Sequence, residues 1–145
     1  MKKLAVLFCL GLLAGAVWAA AEQKKPMKIK MTFNGREAVL VMQENAAVAQ
    51  LAELLPAEFT FRDFAGEEKI TDFPRPLDLS AAPRGMVAAA GRVFIYAPWG
   101  NMGIFYKEHG SKMDKSLIWL GDVQSGLEDL AAQKRDFRAR LEIMK

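Results

Sequence analysis

Between Arg92 and Lys107 the chain reads RVFIYAPWGNMGIFYK, two nearly continuous apolar runs on either side of Pro98-Trp99-Gly100-Asn101. Each run is too short for a helix that would stand alone, and Pro and Gly punctuate the join. The pattern predicts a buried hairpin in the middle of a β-rich domain.

A second hairpin is written further upstream. Met27, Ile29, Met31 and Phe33 alternate with Lys28, Lys30 and Thr32, the period of a half-buried strand. Asn34-Gly35 follows, the pair preferred in a two-residue type I′ turn because both positions need positive φ. Such a turn sets Phe33 opposite Arg36, Met31 opposite Ala38, Ile29 opposite Leu40 and Met27 opposite Met42. The apolar side chains then share one face of both strands, so the register supports itself.

The remaining elements follow in order. Asn45 is a good N-cap for a helix running to Leu55, with Val48, Leu51, Ala52 and Leu55 as its apolar stripe and Pro56 as its stop. Phe59 and Phe61 alternate with Thr60 and Arg62 in a strand. Asp63 to Glu68 turns the chain, and Lys69-Ile70-Thr71 is placed to pair back. Phe73 to Gly91, with Pro74, Pro76 and Pro83, is a long irregular connection of the kind that is either functional or mobile. Glu108 to Ser116 is a polar loop. Leu117 to Leu120 reads as a short strand broken by Gly121, and Ser125-Gly126-Leu127-Glu128 has capping-box spacing for a helix through Gln133. Phe137, Ala139, Leu141 and Ile143 alternate with Arg138, Arg140 and Glu142 in a closing strand. About seven strands and two short helices, without a βαβ rhythm, predict a mainly β fold. The expected form is a closed, mostly antiparallel β-barrel with the two short helices covering it, one at each end.

The N-terminus reads as an export signal. Met1-Lys2-Lys3 is a basic n-region, and the apolar run Leu4 to Val17, about fourteen residues, falls short of the roughly 20 needed to span a bilayer. Val17 and Ala19 place small residues for cleavage after Ala19, and Ala19 and Ala21 offer a second site after Ala21. The chain thus divides into a signal peptide over 1–19 (or to 21), a polar, disordered lead-in over 20–26 and one domain over 27–145. The expected destination is the periplasm or the cell exterior, with no membrane span after cleavage. The single cysteine, Cys9, lies inside the signal segment, and Val6-Leu7-Phe8 before it lacks the small residues of a lipoprotein site. The mature domain therefore has no disulfide, thiolate catalysis or cysteine-bound metal. Without Lys2 and Lys3, the 20 basic residues fall to 18 against 17 acidic, leaving a net charge of +1. The basic residues are scattered rather than gathered in a stripe, which speaks against nucleic acid as a partner.

The chain resembles the bacterial cyclophilin-like domain proteins, small barrels of largely uncharacterised function. The resemblance lies in Leu54-Leu55-Pro56, the run Phe64 to Ile70, Phe73-Pro74, Tyr96 to Asn101, Ile104 to Lys107, and Leu120-Gly121 through Gly126-Leu127. It covers Met27 to about Ile143 and implies a cyclophilin-like barrel. Leu120-Gly121-Asp122-Val123-Gln124-Ser125-Gly126 is also similar to the segment leading into the second helix of true cyclophilins. The residues by which those enzymes isomerise proline do not carry over. Their Phe-His-Arg strand has only Phe61-Arg62 here, and Leu117 stands where a histidine precedes the shared glycine.

No motif joins the lone histidine, His109, to a nucleophile or a metal site, and its bland reading is a solvated loop residue. Asp63, Glu67 and Glu68 crowd one turn, where acid–base work or plain solvation are the two readings. Arg62 among Phe59, Phe61 and Phe64 either lines a pocket or snorkels to water. Tyr96, Trp99, Phe105 and Tyr106 concentrate aromatic surface at one turn, with Phe105 assigned to the core and Trp99 to the rim. The expected site is a pocket or groove bordered by Arg62, Tyr96, Trp99 and Tyr106, taking a peptide or small molecule, with no cofactor and no metal. The function expected is a non-catalytic binding module; the alternative is a divergent peptidyl-prolyl isomerase acting on exported proteins.

Overall fold

A computed structural model describes residues 21–145, so the expected signal segment and Cys9 lie outside the described residues. Strands β1 (Lys28–Phe33) and β2 (Arg36–Met42) form the first hairpin. Asn34 and Gly35 take φ values of 46° and 71°. Phe33 pairs with Arg36, Met31 with Ala38 and Ile29 with Leu40. The Met42 N–H donates to the Met27 carbonyl at 2.9 Å, which completes the expected register.

Helix α1 (Ala46–Ala52) starts on Asn45, whose Oδ1 accepts from the Val48 N–H at 3.0 Å. It ends earlier than the apolar stripe predicts. The Leu54 and Leu55 N–H groups donate to the carbonyls of Leu51 and Ala52, three residues back, so the helix tightens into turns ahead of Pro56.

After it come β3 (Ala57–Phe64), β4 (Glu68–Thr71), β5 (Met86–Val87), β6 (Arg92–Tyr96) and β7 (Asn101–Phe105). The chain closes with β8 (Met113–Asp114), β9 (Leu117–Ser125), α2 (Leu127–Ala131) and β10 (Phe137–Ile143). Eight strands close in the order β1-β10-β3-β4-β7-β6-β9-β2, and every neighbouring pair is antiparallel. Closure leaves no barrel strand as an open edge. Inside, Phe61 stacks on Phe137 with centroids 5.6 Å apart, among fully buried Met31, Leu40, Ile104 and Leu120. The helices sit at opposite ends: α1 follows the Met42 end of β2, whereas Gln133, just beyond α2, accepts a hydrogen bond from Asn34 at 2.8 Å.

Two expectations at the second half of the chain are corrected. Gly121 does not end its strand, because β9 runs on to Ser125. A Cβ at Gly121 would lie 2.3 Å from the Val41 carbonyl oxygen, so the glycine permits close approach of β2. Register shifts against both β6 and β2 mark bulges that curve this long strand around the wall. Ser125 belongs to the strand and does not cap the helix. The N-cap is Gly126, at φ 87°, without a side-chain cap, and α2 stops at Ala131 rather than Gln133.

The long connection after Phe73 is built into the molecule. Phe73, Leu77, Leu79 and Ala82 pack on the barrel core, and β5 pairs with β8 as a separate small sheet. The Gly85 N–H donates to Leu117 and the Gly91 N–H to Phe105, each at 2.7 Å. Under this cover lies a second apolar cluster of Met86, Ala88, Phe94, Phe105 and Leu117, outside the barrel. It explains why the β6–β7 hairpin is apolar on both faces: Val93, Ile95, Met102 and Ile104 enter the barrel core, and Phe94 and Phe105 point out into the second cluster.

Candidate ligand-binding site

The outer face of β3, β4, β7 and β6 carries a cavity of about 320 Å³. Its floor depends on Gly103, which pairs with both Ile70 and Phe94. A Cβ there would meet the Phe94 Cζ at 2.3 Å, so the glycine lets the Phe94 ring lie across β7. Phe94 stacks on Phe105 with centroids 4.3 Å apart, and the His109 ring stacks on the same Phe105 at 5.8 Å. The opposite rim is Trp99, which is 63% exposed at the hairpin turn and meets Tyr96 and Phe64 edge-on, at 5.2 and 5.8 Å. Leu117, Ser116 and Asp114 close the remaining side.

Two polar groups stand inside this aromatic wall. Glu68 pairs across the ladder with Phe64 on one side and Phe105 on the other, so its carboxyl rises between two rings. Burial there pushes its pKa up to about 7; His109 pulls the other way, and the charges of Glu67 and Asp63 add to the rise. Asn101 is 4% exposed, and its Oδ1 has no hydrogen-bond partner among the described residues. A buried amide oxygen left unsatisfied costs about 1–3 kcal/mol.

The charges around the rim are matched differently. Glu67 engages the His109 Nδ1 and raises its pKa, so this pair is close to neutral in sum. Asp114 accepts from the Ser116 N–H at 2.8 Å and from its hydroxyl, which holds the carboxyl below the usual range. Because the Ser116 hydroxyl donates to Asp114 and His109 faces Glu67, no serine–histidine relay is assembled. No group of three potential metal ligands occurs among the described residues.

The sequence-predicted border is only partly brought together. Tyr96 and Trp99 line the cavity. Arg62 is on the same outer face, paired with Ile70, but its guanidinium turns to Asp72 at 2.9 Å and lines a neighbouring open cleft. Tyr106 donates its hydroxyl to Asp63 at 2.7 Å, and burial with that acceptor pushes its pKa up to about 12. Its ring lies 4.9 Å from Lys69, a fully buried ammonium that bonds Asp63 at 2.8 Å and the Gln133 carbonyl. Tyr106 therefore belongs to a polar cluster at the α2 end of the barrel. Phe105, assigned to the core from sequence, is buried but forms cavity wall. Asn101 and His109 were not placed in the site by sequence reasoning, because only the ladder and the β5–β8 cover bring them there.

The cyclophilin-like family model matches residues 31–142, most of the chain. The chain belongs to the cyclophilin-like family. Among solved structures, a hypothetical protein from Archaeoglobus fulgidus, determined in solution, is similar with a TM-score of 0.64 at 15% sequence identity. The alignment covers 83% of this chain and 97% of that one. A likeness at this identity shows the cyclophilin-like fold and no activity. Comparison with curated proteins gives no match. Among the described residues no helix of this cyclophilin-like chain is long and apolar enough to cross a membrane.

Proposed function

We propose that this protein is a non-catalytic binding module whose ligand, a small molecule or a peptide side chain, enters the cavity between Trp99 and Phe105. The observation that carries the reading is the joining of an aromatic enclosure to Asn101, a lining residue whose buried Oδ1 has no partner among the described residues. Apolar walls with a few convergent polar groups are the usual composition of a ligand pocket. The engagement of Ser116 by Asp114 and of Arg62 by Asp72 supports binding over catalysis. The N-terminal pattern supports export, so the ligand would be met in the periplasm or outside the cell. N-terminal sequencing of the secreted form, beginning at Ala20 or Glu22, would test that part.

The binding test is intrinsic fluorescence of the full chain and of Trp99→Ala, titrated with N-acetylated, C-amidated amino acids and small amines. A saturable change that disappears in Trp99→Ala is expected. No Trp99-dependent change across the set would overturn the reading. A coupled proline-isomerisation assay supplies the opposing test: catalysis by the full chain that is lost in Arg62→Ala would replace the binding module with an isomerase.

A further inference from the structure

Resting on the pocket reading above, we infer that the ligand carries an ammonium or guanidinium group on an apolar stem, seated against Glu68 inside the aromatic wall. Three observations converge on a cation. The first is placement: Glu68 stands between Phe64 and Phe105 on the ladder, and no side-chain hydrogen bond or ion pair reaches it from the described residues. Its carboxyl is free to take a new partner.

The second is the charge balance. The charged groups facing Glu68 are His109, Glu67 and Asp63, with Asp114 lining the same cavity. His109 is matched by Glu67, and Asp63 by Lys69, which lies on the barrel side of β4. Glu68 and Asp114 remain as the acidic excess of the cavity. A neutral or anionic ligand would leave that excess unanswered, whereas a cation neutralises it.

The third is the wall itself. Phe64, Tyr96 and Trp99 line the same cavity as Glu68, above the buried Phe94–Phe105 stack, and aromatic rings attract a desolvated cation. Neither a bare carboxylate in water nor a wholly apolar slot has this combination. Since burial holds Glu68 partly protonated near neutral pH, a bound cation stabilises its ionised form, and binding releases a proton.

The experiment compares matched probes on the full chain by fluorescence and by calorimetry in two buffers of different ionisation enthalpy. N-acetyl-lysine amide and N-acetyl-arginine amide are set against the uncharged N-acetyl-norleucine amide, and agmatine and n-pentylamine are added as free amines. The cationic probes are expected to bind about tenfold or more tightly than norleucine amide, with proton release near pH 7. In Glu68→Gln the preference and the proton release are both expected to vanish. The blocked residues against the free amines distinguish a polypeptide side chain from a small amine. Equal affinity for charged and uncharged probes, or binding without proton release in the unmodified protein, overturns the cation while leaving the pocket reading in place. No response to any probe overturns both.

Discussion

The ring of Phe94 occupies the space that a side chain at Gly103 would need, with its Cζ 2.3 Å from where the Cβ would be. The outer cavity exists because one strand position has no side chain. Gly103→Ala is therefore expected to force Phe94 off Phe105 and into the cavity, lowering stability by about 1–3 kcal/mol. Urea denaturation reads the loss, and the aromatic near-ultraviolet circular dichroism should change even where the fold persists. An unchanged spectrum would mean that the floor is not built in this way.

Glu68 makes stability depend on pH. Its folded pKa, about 7, is raised above the ordinary glutamate value of 4.5, so the folded chain holds the proton more tightly than the unfolded one. The contribution of Glu68 to stability is then greatest below about 4.5 and falls as pH rises from there through about 7. A full shift of this size is about 3 kcal/mol, and solvent screening of this half-buried carboxyl reduces it to on the order of 2 kcal/mol. Glu68→Gln removes this fall, and at pH 8 the variant should be the more stable protein. Denaturant midpoints of both proteins at pH 5 and pH 8 check it, the difference between the two being the quantity of interest.

Lys69 and Asp63 tie the α2 end of the barrel. Lys69→Ala leaves Asp63 without its cation and a void among core side chains, for a cost of about 2–4 kcal/mol. Burial opposes the Asp63 charge, but Lys69, Tyr106 and the Gly66 N–H outweigh it and hold the pKa low. That stabilisation is present above the unfolded carboxylate pKa and is lost as pH falls through the folded one. Acid titration of unfolding should show this low-pH loss in the native protein and a smaller one in Lys69→Ala, where Tyr106 and the Gly66 N–H still hold Asp63.

Tyr106 and Trp99 should behave in opposite ways. Tyr106→Phe removes the donor to Asp63 and is expected to cost about 0.5–1.5 kcal/mol without altering ligand affinity. Trp99→Ala, at an exposed position, is expected to cost under about 1 kcal/mol while abolishing binding. Thermal unfolding and probe titration on both variants separate a structural tyrosine from a recognition tryptophan.

Much of the fold was legible in the chain. The β1–β2 register follows from Asn34-Gly35 and an alternation of seven residues, and β10 from the alternation after Phe137, since both signals arise between near neighbours. Gly121 and Ser125 misled for one reason. A glycine admitted by a strand crossing close to Val41 looks, in sequence, like a glycine that ends a strand, and a cap is decided by where the preceding ladder stops.

The site divides in the same way. Tyr96 and Trp99 were visible because they lie beside and within a turn that the sequence marks with Pro and Gly. Arg62 and Tyr106 were equally plausible by composition, and only the partners at Asp72 and Asp63 assign them elsewhere. Glu68, Asn101 and His109 become one site through pairing of β4 with β3 and β7 and through the cover that β5 and β8 lay over the wall. Sequence alone determined the alternation, the turns and hence the barrel, which are properties of adjacent residues. Tertiary structure decided the carboxyl between two rings, because burial and charge balance belong to residues that the chain keeps far apart.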